Sequence, residues 1–285
     1  MQRILVTGAG GFIGRCLLAI LAAQGHEVMP TARDPQAFTA VHGEGLAARI
    51  FQLDLTAHEP DPEELFTSLG SPDVLIHLAW GGLPYYRSPS HFETEAPRHY
   101  AFLKAMVQGG LRRLVATGTC LEYGMVSGPL AETLPACPVT AYGLGKDIVR
   151  RQLEMLAATS PFELLWCRLF YMYGLGQGAG SLYSLLRQAA LRGDAEFPMS
   201  GGEQLRDYLP VEAVAQRLAK VSLLPGATGI LNICSGRPIS IRSLVEQWIA
   251  AGNWRIELKL GRYPYPDYEP MAFWGDATRL EALLA

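Results

Sequence analysis

Tyr142 and Lys146 stand four residues apart in the run Tyr142-Gly143-Leu144-Gly145-Lys146. On a helix that spacing puts both side chains on one face, so a phenol and an ammonium meet at one site. A free phenol, with pKa about 10, is a poor proton-transfer group near neutrality. A cation a few ångströms away favours the phenolate by about 1–4 kcal/mol, according to the effective dielectric. That moves the phenol toward acid–base work at a carbonyl or alcohol oxygen. On an arbitrary surface helix the same pair is inert, and its weight comes from what stands upstream. Gly8-Ala9-Gly10-Gly11-Phe12-Ile13-Gly14 follows a short apolar run and opens a helical segment. Glycines 8, 11 and 14 let backbone N–H groups and the helix N-terminus approach a pyrophosphate without side-chain obstruction, with Phe12 and Ile13 alongside. Together these are the marks of a dinucleotide turn.

The ends of the following strands refine the cofactor. An NAD site usually places an acidic residue after the second strand, where it accepts hydrogen bonds from the ribose 2′-OH. In Val28-Met29-Pro30-Thr31-Ala32-Arg33 that place falls to Ala32. Arg33 suits a 2′-phosphate through charge-assisted hydrogen bonds, although a solvated arginine beside Asp34 is the plainer alternative. NADP(H) is therefore favoured over NAD(H). Asp54 and Leu55 suit the adenine edge, and Leu78 and Ala79 the central part of the cofactor. His77, just before them, reads as a core histidine rather than a catalyst.

The elements that must hold these residues follow from apolar periodicity. Short apolar strands are expected at Arg3–Thr7, Glu27–Thr31, Arg49–Leu53, Val74–Leu78, Arg113–Thr117 and Phe162–Leu169. Helices are expected at Phe12–Gln24, Pro62–Leu69, Phe92–Gln108 and Tyr142–Ala158. Such alternation implies right-handed βαβ crossovers and a parallel sheet covered on both faces. The fold class is α/β: a Rossmann-type, doubly wound parallel sheet with a small C-terminal α/β substrate lobe. The dinucleotide domain is placed at 1–170 and the lobe mainly at 171–285, with the chain returning to the main domain at about 205–235. Helices Leu182–Leu191 and Val211–Leu224, a strand Gly229–Ile233, and an ordered Pro- and Tyr-rich lid, Tyr263–Pro270, belong to this second part.

The chain of 285 residues is 49% apolar and 18% charged, which is a globular composition. A formal charge of −3 gives no footprint for nucleic acid or an anionic membrane surface. Five scattered cysteines, none in CxxC spacing, read as reduced thiols in a cytoplasmic protein with no metal site. The apolar stretch 4–23 is broken by glycines and Arg15, so it reads as strand–turn–helix rather than a membrane span or leader.

With these residues in view, the chain resembles the extended short-chain dehydrogenases/reductases, the branch of sugar-nucleotide epimerases, dehydratases and reductases. The likeness runs over nearly the whole length. Thr119-Cys120-Leu121-Glu122-Tyr123-Gly124 is similar to the family's Ser/Thr segment. The resemblance implies that Thr119 hydrogen-bonds the substrate oxygen, that Tyr142 is proton donor or acceptor, and that Lys146 holds the nicotinamide ribose. Thr117 is a strand residue beside the cofactor. Arg168-Leu169-Phe170-Tyr171-Met172-Tyr173-Gly174 is similar to the RxxNxYG segment, with Tyr171 in place of Asn. Arg206-Asp207-Tyr208 resembles the RDF/RDY motif, whose arginine contacts a substrate diphosphate, and Asp276–Leu280 matches the closing helix. The helix Phe92–Gln108 lacks the usual Asn near its start and carries Glu95 there. The resemblance also implies a homodimer through the helices Phe92–Gln108 and Tyr142–Ala158.

Among the family's reactions, 4,6-dehydration calls for Asp-Glu after the catalytic Thr, and here Cys120 and Leu121 stand there. Epimerases retain NAD and gain nothing from a phosphate-selective cofactor site, whereas Arg33 without an acid at Ala32 suits an enzyme drawing on NADPH. The loop Trp80–Arg87 and the segment Tyr263–Glu269 look like those of bacterial NDP-4-keto-6-deoxyhexose 4-reductases. Trp80, Tyr85, Cys120, Tyr171 and Tyr265 would border the sugar nucleotide, with rings stacking on a base or a sugar face; a packed aromatic cap is the alternative. The expectation is NADPH-dependent reduction at C4 of a nucleotide-linked ketosugar. Two other readings stay open: an NAD-dependent sugar-nucleotide epimerase, and a non-catalytic dinucleotide sensor.

Overall fold

A computed structural model describes residues 1–42, 50–55 and 61–285. Seven parallel strands form the main sheet. From edge to edge they run Gly229–Ile233, Glu163–Leu169, Arg113–Thr119, Val74–His77, Arg3–Thr7, Glu27–Ala32 and Phe51–Gln52. Strand order reverses between Arg3–Thr7 and Val74–His77, so their carboxyl ends open a crevice where α/β folds take ligands. The third strand is shorter than expected, and Arg49, where it was expected to begin, lies outside the described residues.

One sheet face is covered by helices Phe12–Ala23, Val211–Leu223 and Thr278–Leu284, around Leu17, Leu18, Val214 and Leu218. The other is covered by Ala96–Gln108 and Ala141–Ala157, around Leu103, Met106, Val149 and Leu153. Burial on both faces is why these strands read as unbroken apolar runs. Among the described residues no helix is long and apolar enough to cross a membrane.

After Leu169 the chain builds a second, smaller body. Strands Tyr171–Tyr173, Leu205–Pro210 and Pro238–Ser240 form a three-stranded sheet. Helices Leu182–Arg192 and Ile241–Gly252 pack there around Leu186, Val245 and Trp248. Between these segments, the chain crosses back to add helix Val211–Leu223 and strand Gly229–Ile233 to the main body.

Helix Phe92–Gln108 differs from its expected form. It opens with a π-helical turn, His91–Glu95, closed by Ala96 N–H donating to the His91 carbonyl, before the α-helix Ala96–Gln108. Pro97 lacks the N–H that an ordinary first turn would leave without a partner anyway.

Gly14 fits the dinucleotide turn by close approach. A Cβ there would collide with the backbone of Gly8 and Ala9. Gly14→Ala is therefore expected to cost about 1–3 kcal/mol and to lower the melting temperature by about 2–10 °C, measured by thermal circular dichroism. Gly178→Ala, where a Cβ meets nothing within 4 Å, should leave the melt unchanged.

Candidate active site

A cavity of about 450 Å³ lies over the crevice, between the two bodies. The dinucleotide turn forms one end of it, with Gly8, Gly11, Phe12, Ile13 and Gly14 in the wall. Gly8 has φ +67°, and a Cβ on it would press on the backbone of Leu78 and Ala79. Helix Phe12–Ala23 has no side-chain cap and no acid in its first turn, so its N-terminal amides face the cavity without competition from a carboxylate. The turn is thus a backbone cradle that side chains would fill, which fits a dinucleotide pyrophosphate.

Strand Arg113–Thr119 runs two residues longer than expected, and alternation along it puts Thr117 and Thr119 on the same side, both lining the cavity. Opposite them, Thr140 caps helix Ala141–Ala157 by accepting from Gly143 N–H at 3.0 Å. Both glycines of the Tyr-Lys run serve close packing. A Cβ on Gly143 would meet the Leu121 carbonyl oxygen at 2.7 Å, and one on Gly145 would collide with the His91 carbonyl. The helix is thereby seated between the turn after Thr119 and the π-helical turn, and Tyr142 and Lys146 both reach the cavity.

Lys146 is 2% exposed. Its ammonium donates to the Thr117 carbonyl at 2.7 Å and lies 4.1 Å from the centroid of the Trp80 ring. Burial pulls it down to about 7, opposed by the charges of Glu122 and Glu95. Tyr142 departs from the expected bias toward phenolate. Burial dominates and pushes its phenol well above the ordinary range, and a hydrogen bond with the Thr119 side chain opposes this only in part. At neutral pH the phenol keeps its proton.

Beneath Thr119 lies Glu122, fully buried and not foreseen as part of the site. Its carboxylate accepts from Thr119 N–H at 2.8 Å, Trp166 Nε1 at 3.0 Å and Arg168 Nε at 2.7 Å. The spacing Thr119–Glu122 forms a capping box, the sequence signal that marks this residue. Cys120, 5% exposed, also lines the cavity, and burial pushes its thiol up and keeps it unreactive.

Trp80, Leu78 and Tyr171 line the same cavity. Arg33, Asp54, Leu55 and Ala79 do not: Arg33 is exposed at the end of the second strand, and Asp54 and Leu55 follow the third. A second cavity, of about 540 Å³, adjoins the first and shares Tyr86, Tyr171, Leu182 and Tyr208 with it. Tyr263, Pro264, Pro266 and Tyr268 of the expected lid form part of its wall. Tyr85 and Tyr265 line neither cavity. Tyr85 is 73% exposed, because the turn that brings its N–H onto the Gly82 carbonyl points it outward and gives the inward place to Tyr86. Tyr265 lies between two prolines whose rings take the inner positions.

Arg206 lines the second cavity and is 3% exposed. Its guanidinium donates to Glu269 at 2.8 and 3.1 Å and to the Leu205 and Met271 carbonyls, and it lies 4.3 Å from the centroid of the Phe273 ring. The Tyr171 hydroxyl donates to the same Glu269 carboxylate. Glu269 was visible in sequence only as part of the lid, since nothing local ties it to a residue 63 positions away.

The model of the NAD dependent epimerase/dehydratase family matches residues 4–234. A dTDP-6-deoxy-L-talose 4-dehydrogenase (NAD(+)) of Aggregatibacter actinomycetemcomitans is 30% identical over 96% of this chain and 99% of that protein. A dTDP-6-deoxy-L-talose 4-dehydrogenase (NAD(P)(+)) of Kitasatospora kifunensis is 28% identical over 93% of this chain and 83% of that protein. Among solved structures, MoeE5 in complex with UDP-glucuronic acid and NAD is 26% identical, with a TM-score of 0.79 over 99% of this chain and 92% of that one. The chain belongs to the NAD dependent epimerase/dehydratase family and is an enzyme of the extended short-chain dehydrogenase/reductase type, acting on a CH–OH group with an NAD(P) dinucleotide.

Proposed function

We propose that the protein reduces the C4 ketone of a nucleotide-linked 4-keto-6-deoxyhexose, with dTDP as the nucleotide and NADPH as the preferred reductant. The observation that carries this reading is the meeting of Thr119, Tyr142 and Lys146 in one cavity whose described lining contains no carboxylate. Eliminating water from a sugar needs an acid and a base of its own, whereas reducing a ketone needs one proton donor. Two relatives named for oxidoreduction of a dTDP-6-deoxyhexose at C4 support the substrate class.

The chemistry that a bound nicotinamide supplies is hydride transfer. The chain's own residues do the rest. Thr119 orients the carbonyl oxygen, and Tyr142 gives that oxygen its proton as the ketone becomes an alcohol. Lys146 holds the ribose end of the cofactor, with Thr117 and Leu78 beside it, and the glycine turn holds the pyrophosphate. Arg33 meets the 2′-phosphate, Asp54 and Leu55 lie toward the adenine, and Ala79 follows the central portion. Trp80, Cys120, Tyr171 and Tyr86 enclose the sugar, and the second cavity takes the nucleotide. Arg206 meets the diphosphate from the wall of the second cavity, with Glu269 fixing its guanidinium.

Tyr142→Phe is expected to lower kcat by about 10²–10⁴-fold, the usual worth of a positioned proton donor, with binding of the sugar nucleotide changed little. Steady-state kinetics with dTDP-4-keto-6-deoxyhexoses checks this, and a normal rate would sink the mechanism. Arg33→Ala should raise KM for NADPH about 10-fold or more, the worth of a charge-assisted hydrogen bond, and leave KM for NADH unchanged. Equal effects on both cofactors would remove the NADP preference.

A further inference from the structure

Under the active-site cavity lies a line of polar side chains with no part in the reading above. The Thr7 hydroxyl meets His77 Nδ1 at 2.8 Å, His77 Nε2 meets His99 Nδ1 at 2.7 Å, and His99 Nε2 meets Glu95 Oε2 at 3.4 Å. Both imidazoles are 2% exposed. One arrangement of protons satisfies every contact with neutral rings: Thr7 donates to His77, His77 to His99, and His99 to the Glu95 carboxylate. The same Glu95 oxygen accepts from Gly81 N–H at 2.9 Å. The line thus starts beside the dinucleotide turn and ends on the loop that borders the sugar site.

Trp80 connects this line to the chemistry. Its indole stacks on the His99 ring, with centroids 4.6 Å apart and planes 18° apart, and it also carries the Lys146 ammonium. Glu95 reaches its place because the π-helical turn ends on it, and helix Ala141–Ala157 packs against that turn through Gly145.

We propose that Glu95 is a positioning residue for Lys146: through His99 and Gly81 it sets the Trp80 plane under the ammonium, and its carboxylate sets an opposite charge behind that plane. This rests on Lys146 serving the Tyr142 site. The groups facing Lys146 are Glu122 from the turn after Thr119, Glu95 and His99 from the helix beginning at His91, His77 from its strand, and Tyr142 from its own helix. Burial holds both histidines below their ordinary range, so they stay neutral, and Glu95 and Glu122 supply the attraction. Glu122 is already committed to Arg168 at 2.7 Å. Glu95 has Arg98 at 3.7 Å, a side chain 41% exposed whose competition water screens. Removing Glu95 therefore takes away the less encumbered of the two charges.

The test reads Lys146 directly. The chain has four lysines, Lys104, Lys146, Lys220 and Lys259, so full-length protein labelled with 13Cε-lysine gives four signals, and Lys146→Arg identifies the one that disappears. Glu95→Gln removes the charge and keeps an acceptor for Gly81; Glu95→Ala removes both and serves if the first variant fails to fold. The expected result is a Lys146 titration midpoint lower by about half a pH unit or more than in the unsubstituted protein, the direction given by losing an opposite charge. An unmoved midpoint in a folded variant overturns the proposal. No sugar or dinucleotide enters the titration, so inactivity toward ketosugars with a shifted midpoint counts against the substrate reading alone.

Discussion

A buried ammonium governs the organisation of this site. Lys146 is withdrawn from water, and a charge so placed must be compensated or lose its proton. Its direct contacts are one backbone carbonyl and the face of an indole, and among the described residues no carboxylate pairs with it. The carboxylates act from one layer farther out: Glu122 under Thr119, and Glu95 at the end of the histidine line. Among the described residues, that layering leaves the cavity wall without an acid while holding Lys146 close to the point of titration.

The same constraint explains the backbone around it. An ammonium can rest on Trp80 and Thr117 only if helix Ala141–Ala157 comes very near its neighbours, and Gly143 and Gly145 permit that approach. The π-helical turn shifts the carbonyl of His91 and the carboxyl of Glu95 to where the helix and Gly81 need them. Glu122 neutralises Arg168, itself 1% exposed, so the strand end carrying Thr119 is tied down by a buried ion pair. Losing one partner of such a pair costs far more than the pair contributes over an apolar substitute. The role of Glu122 is therefore to specify where Thr119 stands.

Much of this was legible in the residues alone. Glycines 8, 11 and 14, the apolar strands and the Tyr142–Lys146 spacing are local patterns, and local geometry decides what they form. Thr119, Tyr142 and Lys146 were brought together in sequence by resemblance and in space by the two neighbouring elements that carry them. What escaped was set by distance along the chain. His77 and His99 each look like an ordinary core histidine until the fold joins them across 22 residues. Glu269 looks like part of a lid until it closes on Arg206 and Tyr171. Tyr85 was expected at the sugar, but the sense of a turn that apolar patterning does not encode gives the cavity wall to Tyr86 instead. The upward shift of the Tyr142 phenol depends on the depth of its burial, which is a property of the assembled cavity rather than of the Tyr-Lys spacing.

Net reduction at C4 leaves its mark in isotope transfer. Incubating the protein with dTDP-4-keto-6-deoxyhexose and NADPH deuterated at C4 of the nicotinamide, followed by NMR of the sugar, locates the transferred atom. Net reduction places one deuterium at C4 of a dTDP-6-deoxyhexose for each NADPH consumed. Tightly held NAD with no net consumption of reductant, together with interconversion of C4 epimers, would contradict it and mark the enzyme as an epimerase.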